Sequence, residues 1–225
     1  MIEREEYGGT VVVFDLDDTL FSEREWAVGA YGLVASQPQF AGHSAAIEKL
    51  MSDALTHREN PFDRLEAYMA DNSLSYPGSI PALVALYRSW QPEKLTPWPD
   101  ALEILCELES RGIPRALITD GRSLTQRAKL RALGVSGFFL PEDILISGET
   151  GVRKTESGNF AAVENRYPCA ARYIYIGDNP ARDFTVPRSR GWECLCLRAR
   201  KGNIHAQPQT DVPLISSLNE LKLRL

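Results

Sequence analysis

The sequence is poor in the features that mark membrane proteins and nucleic-acid-binding proteins. No stretch of its 225 residues approaches the roughly 20 apolar residues of a membrane span. Its 25 basic residues are outnumbered by 30 acidic ones, so the formal charge of -5 provides no basic surface for a nucleic-acid backbone. We therefore expect neither a membrane nor a nucleic acid as partner. The charged segment Met1 to Glu6 is unlike a signal peptide, and we expect a cytoplasmic protein.

Cysteine and histidine are also scarce. The four cysteines lie far apart except for Cys194 and Cys196, whose spacing in a strand-like segment places both on one face. A zinc site needs more ligands than this pair. We therefore interpret the thiols as reduced and structural, and we assign no role to His43 and His205, which have no motif around them.

The chain is rich in short apolar runs that alternate with helical patterns. Such a run is typical of a strand that is buried on both faces of a parallel sheet. The predicted strands are residues 10–14, 115–119, 143–146, 172–176 and 193–197. The predicted helices between them are residues 100–111, 123–133, 158–167 and 181–190. This alternation predicts an α/β fold with a doubly wound, Rossmann-like parallel sheet.

One connection interrupts the alternation. About 85 residues separate the first strand from the helix at residue 100, whereas an ordinary connection needs only a few. This segment has apolar residues at helical spacing in residues 25–34, 44–55, 61–70 and 80–90. We therefore predict a small helical cap domain at residues 21–92, inserted into a catalytic core formed by residues 1–20 and 93–225.

Polar residues follow the predicted strands at the ends where a doubly wound sheet binds its ligands. Asp15 and Asp17 leave the first strand two residues apart, and their mutual repulsion favours a cation. Asp178, after the fourth strand, can add a third acidic oxygen, and such hard ligands favour Mg²⁺. Thr119 and Lys154 offer the hydroxyl and the cation that a transferring phosphoryl group requires.

Two further pairs of residues are candidates for substrate binding. Asp120 and Gly121 lie between Thr119 and a predicted helix, where backbone N–H groups form a natural anion site. Arg58 and Arg64 lie in the predicted cap, which would cover the site and contact the part of the substrate that does not react. A plain helix cap in the first case and solvated surface residues in the second are the competing interpretations.

This ordered set of residues resembles the haloacid dehalogenase-like (HAD) hydrolase superfamily, in the phosphoglycolate phosphatase-like branch whose cap follows the first strand. The resemblance covers nearly the whole chain. Its motifs are Asp15-x-Asp17-x-Thr19, Thr119, Lys154 after Gly151-Val152-Arg153, and the segment from Gly177 to Phe184 that contains Asp178 and Asp183. Thr155 stands where this branch usually has a proline, which affects the path of the loop but not the charge of Lys154.

The resemblance implies a role for each of these positions. Asp15 would be the nucleophile that forms a phospho-aspartyl intermediate, and Asp17 the general acid and base. Mg²⁺ would be held by Asp15, Asp178 and the backbone carbonyl of Asp17. Asp183 would support the metal indirectly, by orienting its ligands or through a bound water molecule. Because Asp17 is present, dehalogenation is disfavoured. The expected activity is Mg²⁺-dependent hydrolysis of a small phosphorylated metabolite by a monomer or homodimer.

Three other functions remain open at this stage. A phosphomutase on the same scaffold would return the phosphoryl group to its substrate. A receiver-like phospho-switch also has an acidic pair after its first strand, but receivers are smaller, and the order of Lys154 before Asp178 counts against this hypothesis. A pure binding protein is disfavoured by the complete set of catalytic residues.

Overall fold

The computed structural model describes residues 6–205 and 207–225. Its strands are β1 (Thr10–Phe14), β2 (Arg115–Thr119), β3 (Ile144–Ile146), β4 (Arg172–Gly177), β5 (Glu193–Leu197) and β6 (Leu214–Ile215). Within the described residues these form one six-stranded sheet in the order β3-β2-β1-β4-β5-β6, and every neighbouring pair is parallel. The predicted α/β sheet is confirmed. Strand β6 was not predicted, because it is only two residues long.

The central strand β1 is buried on both faces, as its apolar run predicts. Val12 and Phe14 belong to a large apolar cluster on one side of the sheet. Val11 and Val13 belong to a second cluster on the other side, together with Phe160. Alternate residues of a strand point to opposite faces, so one five-residue run supplies both layers of the core. This burial fixes the point at which the chain leaves the sheet.

Helices follow the strands on both faces. They are α5 (Pro99–Ser110), α6 (Ser123–Leu133), α7 (Ser147–Thr150), α8 (Gly158–Arg166) and α9 (Thr185–Ser189), and 3₁₀ turns occupy Ser136–Phe138, Pro141–Asp143 and Leu218–Arg224. Helix α9 is shorter than the predicted helix at residues 181–190. Its expected first turn is instead a loop in which the N–H groups of Arg182 and Asp183 both donate to Asn179 O.

A helical insertion lies between β1 and β2, as predicted. It consists of α1 (Glu23–Ala35), α2 (Ser44–Thr56), α3 (Pro61–Asp71) and α4 (Ser79–Ser89), with a 3₁₀ turn at Pro38–Phe40. Aromatic packing joins its first and last helices, since the rings of Tyr31 and Tyr87 stack at 5.4 Å. No helix among the described residues is long and apolar enough to cross a membrane.

The order of the strands reverses between β1 and β4. The chain runs from β1 outward through β2 and β3 and then returns to the other side of β1 as β4. Two connections therefore diverge at the carboxyl ends of β1 and β4, which leaves a crevice there. A segment after β5, the strap (residues 198–205 and 207–212), crosses this end of the sheet. Its Arg200 pairs with Asp100 on α5.

Candidate active site

Asp15 and Lys154 form a buried ion pair at the carboxyl end of β1. Lys154 Nζ lies 2.5 Å from Asp15 Oδ1, and each side chain is only 6% exposed. The backbone N–H of Leu16 also donates to Asp15 Oδ1, at 2.6 Å. No hydrogen bond to Asp15 Oδ2 is formed within residues 6–205 and 207–225. One oxygen of Asp15 is thus held by two donors while the other is available for reaction.

Asp178 and Asp183 complete an acidic cluster with Asp15. One carboxylate oxygen from each of these three buried residues lies within 4.8 Å of the other two. Lys154 also approaches Asp183 Oδ1, at 3.0 Å, while Asp183 Oδ2 accepts the N–H of Asn179 at 2.9 Å. Three carboxylates against one lysine leave two negative charges uncompensated, a donor set that fits a divalent cation with hard oxygen ligands.

Burying several carboxylates together is unfavourable, and in the absence of a bound cation this raises the pKa values of their carboxyl groups. Burial raises the pKa of Asp15 to about 8, although Lys154 opposes the shift. Burial and the charges of Asp15 and Asp183 raise the pKa of Asp178 to about 9. A metal ion would restore the ionised forms. The structure therefore brings together three of the four predicted metal ligands through their carboxylates.

Asp17 faces away from this cluster, toward helix α6. Its Oδ1 accepts a hydrogen bond from Lys129 Nζ at 2.7 Å, and its Oδ2 accepts one from Gln126 Nε2 at 2.8 Å. The carboxylate of Asp17 is thus kept out of the metal cluster, which leaves only its backbone carbonyl for the role that the sequence predicted. Gln126 and Lys129 were missed, because both sit in an amphipathic pattern that is typical of ordinary surface helices.

Thr119 ends β2 beside Asp17. Its hydroxyl oxygen accepts a second hydrogen bond from Gln126 Nε2, at 2.7 Å. Asp120 lines a cavity at the carboxyl ends of the strands, which Asp15, Asp17, Thr119 and Lys154 also line. Its carboxylate accepts the backbone N–H of Lys154 at 3.1 Å and pairs with Arg182 at 2.8 Å. Asp120 therefore joins the loops that carry Lys154 and Arg182.

Gly121 lines a neighbouring groove and does not line this cavity. Its N–H donates to Ser147 Oγ at 3.0 Å, so this amide is already paired. A side chain here would press on Gln126, because an added Cβ would lie 2.9 Å from Gln126 Cδ. The glycine thus makes room for the glutamine that contacts Asp17.

Asp18 is buried but belongs to the scaffold of the site. Its Oδ1 accepts the N–H of Glu23 at the start of α1, and its Oδ2 accepts the N–H of Ile204 in the strap. The distances are 2.9 and 3.1 Å. Its backbone has a φ of 53°, in the left-handed region. Both carboxylate oxygens of Asp18 are thus occupied by backbone N–H groups that hold α1 and the strap.

The outer wall of the cavity is polar. It is formed by Glu23, Asn179, Arg182 and His205, which line the cavity together with Asp15 and Asp178. Glu23 Oε2 lies 3.6 Å from His205 Nε2, and this neighbouring carboxylate raises the pKa of His205. No motif surrounds His205, so sequence alone could not place it here.

Arg58 and Arg64 are not brought to this cavity. Neither lines it, and Arg64 Nε instead pairs with Glu59 Oε2 at 2.7 Å on the surface of the insertion. Both lie around the start of α3, and Arg58 is exposed. The side chains that reach the mouth of the cavity come from α1, the strap and the loop after β4.

Comparisons with known proteins agree with this geometry. Residues 10–187 match the model of a hydrolase family described as haloacid dehalogenase-like hydrolase. The glyceraldehyde 3-phosphate phosphatase of Methanocaldococcus jannaschii is 27% identical and covers 93% of this chain and 94% of its own. The ribulose-1,5-bisphosphate 5-phosphatase of Halopiger xanaduensis is 28% identical and covers 83% of each chain.

Solved structures share the fold. A magnesium-bound crystal structure of the HAD hydrolase YfnB from Bacillus subtilis superposes with a TM-score of 0.67 and 22% identity, over 96% of this chain and 98% of that one. A predicted phosphoglycolate phosphatase from Haemophilus somnus gives a TM-score of 0.65 at 15% identity, over 97% and 99% of the two chains. These likenesses extend over the insertion as well as the sheet.

Proposed function

Because this chain belongs to the haloacid dehalogenase-like hydrolase family, we propose that it is a Mg²⁺-dependent phosphatase acting through a phospho-aspartyl intermediate on Asp15. The observation that carries this proposal is the buried group formed by Lys154 with Asp15, Asp178 and Asp183. Two uncompensated negative charges are costly to bury unless a cation binds beside them, and carboxyl groups arranged in this way are typical of functional sites. Its place at the reversal of strand order is where such a fold binds ligands.

The residues divide the chemistry between two steps. In the first, Asp15 Oδ2 forms a bond to phosphorus as the bond from phosphorus to the leaving oxygen breaks, and Asp17 donates a proton to that oxygen. In the second, Asp17 takes a proton from water, whose oxygen attacks phosphorus and releases Asp15. Thr119 and Lys154 hold the phosphoryl oxygens. Mg²⁺, held by Asp15, Asp178, Asp183 and the carbonyl of Asp17, supplies charge neutralisation.

The shape of the cavity supports a small and polar substrate. Its volume is about 100 Å³, and its outer wall carries the charged side chains of Glu23, Arg182 and His205. Such a wall suits a hydroxylated leaving group better than an apolar or aromatic one. Two relatives with phosphorylated sugars in their names support the same class, so we propose a small sugar phosphate as substrate.

A basic groove adjoins the cavity, and it extends the class of proposed substrates to molecules with a second anionic group. The groove, of about 470 Å³, shares Asp120 and Arg182 with the cavity and is also lined by Arg122 and Arg153. Both of these arginines are exposed, and neither forms an ion pair within residues 6–205 and 207–225. Planar guanidinium groups suit a second phosphate or carboxylate. Sugar bisphosphates are therefore included among the proposed substrates.

The test is a phosphate-release assay with Mg²⁺. The substrates are p-nitrophenyl phosphate, glycerol 3-phosphate, glyceraldehyde 3-phosphate, phosphoglycolate and ribulose 1,5-bisphosphate. We expect release from at least one sugar phosphate, and none from an Asp15→Asn variant with an unchanged circular dichroism spectrum. Turnover by Asp15→Asn would contradict the mechanism. Isomerisation of a sugar phosphate without release of phosphate would indicate a phosphomutase instead.

A further inference from the structure

Two side chains of helix α6 fix the carboxylate of Asp17 from both sides. Lys129 Nζ donates to Oδ1 and Gln126 Nε2 donates to Oδ2, at 2.7 and 2.8 Å. Gln126 is 1% exposed and Lys129 is 2% exposed, whereas polar side chains on a helix usually reach solvent. With both oxygens bonded to buried donors, the carboxylate has one orientation in this conformation.

Gln126 also connects Asp17 to the phosphoryl site. Its amide nitrogen has two protons, and it donates one toward Asp17 Oδ2 and one toward Thr119 Oγ1, at 2.7 Å for the latter. The amide thereby sets the spacing between these two oxygens. Because the hydroxyl oxygen of Thr119 accepts from Gln126, its own proton is directed elsewhere, and the cavity that Thr119 lines is the available direction.

Lys129 connects Asp17 to the insertion. Its Nζ lies 3.6 Å from Glu23 Oε1 on α1 and 4.8 Å from the centre of the Trp26 ring on the same helix. A lysine so deeply buried is stable only among compensating charges and aromatic faces. Lys129 therefore has partners on both sides of the junction between the sheet and the insertion, and Asp17 is one of them.

We propose that Gln126 and Lys129 are positioning residues for the general acid Asp17, holding its carboxyl group in line with the leaving oxygen of the substrate. The assignment rests on the proposed phosphatase function. Neither side chain lines the cavity, so their effect passes through Asp17 and Thr119, to which they are hydrogen-bonded. Their loss should slow protonation of the leaving group while leaving the nucleophile Asp15 and its partner Lys154 in place.

The experiment compares two substrates whose leaving groups differ in whether they must be protonated as they depart. Dinitrophenolate leaves 2,4-dinitrophenyl phosphate without protonation, whereas an alcohol leaves an alkyl phosphate only with it. Single-turnover release of each leaving group reports the first step alone. For Lys129→Met we expect the rate with the best alkyl phosphate of the panel to fall by roughly 10²-fold, with less than a threefold change for 2,4-dinitrophenyl phosphate.

A matched control and a second variant complete the test. Lys49 pairs with Asp53 on the surface of α2, and Lys49→Met should change neither rate. Gln126→Leu should likewise slow the reaction of the alkyl phosphate but not that of 2,4-dinitrophenyl phosphate. If Lys129→Met does not fold, the result for Gln126→Leu tests the assignment. Equal losses on both substrates, or no loss on either, would overturn the assignment. An inactive wild-type protein would instead contradict the proposed function, and the assignment with it.

Discussion

Lys154 Nζ lies within 3.0 Å of both Asp15 Oδ1 and Asp183 Oδ1, so one buried cation serves two carboxylates from different motifs. This lysine comes from the loop after β3, while its partners follow β1 and β4. The segments that follow three different strands therefore supply the charged groups of a single cluster. The consequence is that the site depends on Lys154 for its assembly as well as for its chemistry.

Replacing Lys154 with methionine should abolish most of the activity. The change removes the lysine that pairs with Asp15 and Asp183 and, in the proposed mechanism, a donor to the phosphoryl group, and such losses lower kcat by roughly 10²–10³-fold. The measurement is steady-state phosphate release at saturating Mg²⁺. The exposed Lys94 provides the control, since Lys94→Met should retain full activity. A Lys154→Met enzyme with more than a tenth of wild-type kcat would contradict this role.

A methyl group at Gly177 should disturb Asp183. An added Cβ would lie 2.3 Å from Asp183 Oδ2, closer than any contact allows, so the carboxylate would have to move. Gly177→Ala should therefore weaken Mg²⁺ binding by roughly 10–100-fold, the usual effect of losing a supporting group behind a metal ligand. Activity titrated with Mg²⁺ measures this change.

Gly32 provides the matched control for that experiment. It lies inside α1, and no atom comes within 4 Å of a Cβ added there. Gly32→Ala should leave the dependence on Mg²⁺ unchanged and raise the free energy of unfolding by roughly 0.5–1 kcal/mol. If both variants bound Mg²⁺ like the wild type, Asp183 would not support the metal.

Binding of Mg²⁺ should release protons at pH 7. Without a cation, burial and the neighbouring charges raise the pKa of Asp178 to about 9, so this carboxyl group is largely protonated at that pH. The metal binds its ionised form, and the affinity for Mg²⁺ should therefore rise between pH 7 and pH 9 and level off above. Calorimetry in buffers with different ionisation enthalpies measures the protons. A heat of binding that does not depend on the buffer would contradict this coupling.

The sheet and the meeting of the candidate catalytic residues at its edge were predicted from the sequence for the same reason. An apolar strand that ends in charged residues is a local signal, and parallel strands bring their carboxyl ends to one edge. Asp15, Thr119, Lys154 and Asp178 meet there as expected. The domain boundaries at residues 21 and 92 stay a prediction.

What the sequence missed depends on contacts between distant segments. Gln126 and Lys129 look like surface residues of an amphipathic helix until α6 is placed beside Asp17. His205 reaches the cavity only because the strap is held by Asp18 and Asp178, which accept the N–H of Ile204 and the side-chain N–H of Asn203. Nothing in the local pattern predicts such long-range pairing.

Contacts between distant segments also explain why the cap residues predicted to bind substrate are not the ones that line the cavity. Arg58 and Arg64 were chosen for their charge, yet they lie near the start of α3 and do not line the cavity. Glu23 does line it, because α1 begins directly above the end of β1, where Asp18 accepts its N–H. Charge alone is thus a poor guide to which side chains form the wall of the cavity.

The most direct test of the account is to identify the phosphorylated residue. An Asp17→Asn variant, slow in the hydrolytic step, is mixed with 2,4-dinitrophenyl phosphate and Mg²⁺ and quenched into borohydride, which reduces an acyl phosphate to an alcohol. Peptide mass spectrometry then locates the product. The account predicts homoserine at position 15, formed only in the presence of substrate. Homoserine at another aspartate, or turnover with none at position 15, would contradict it.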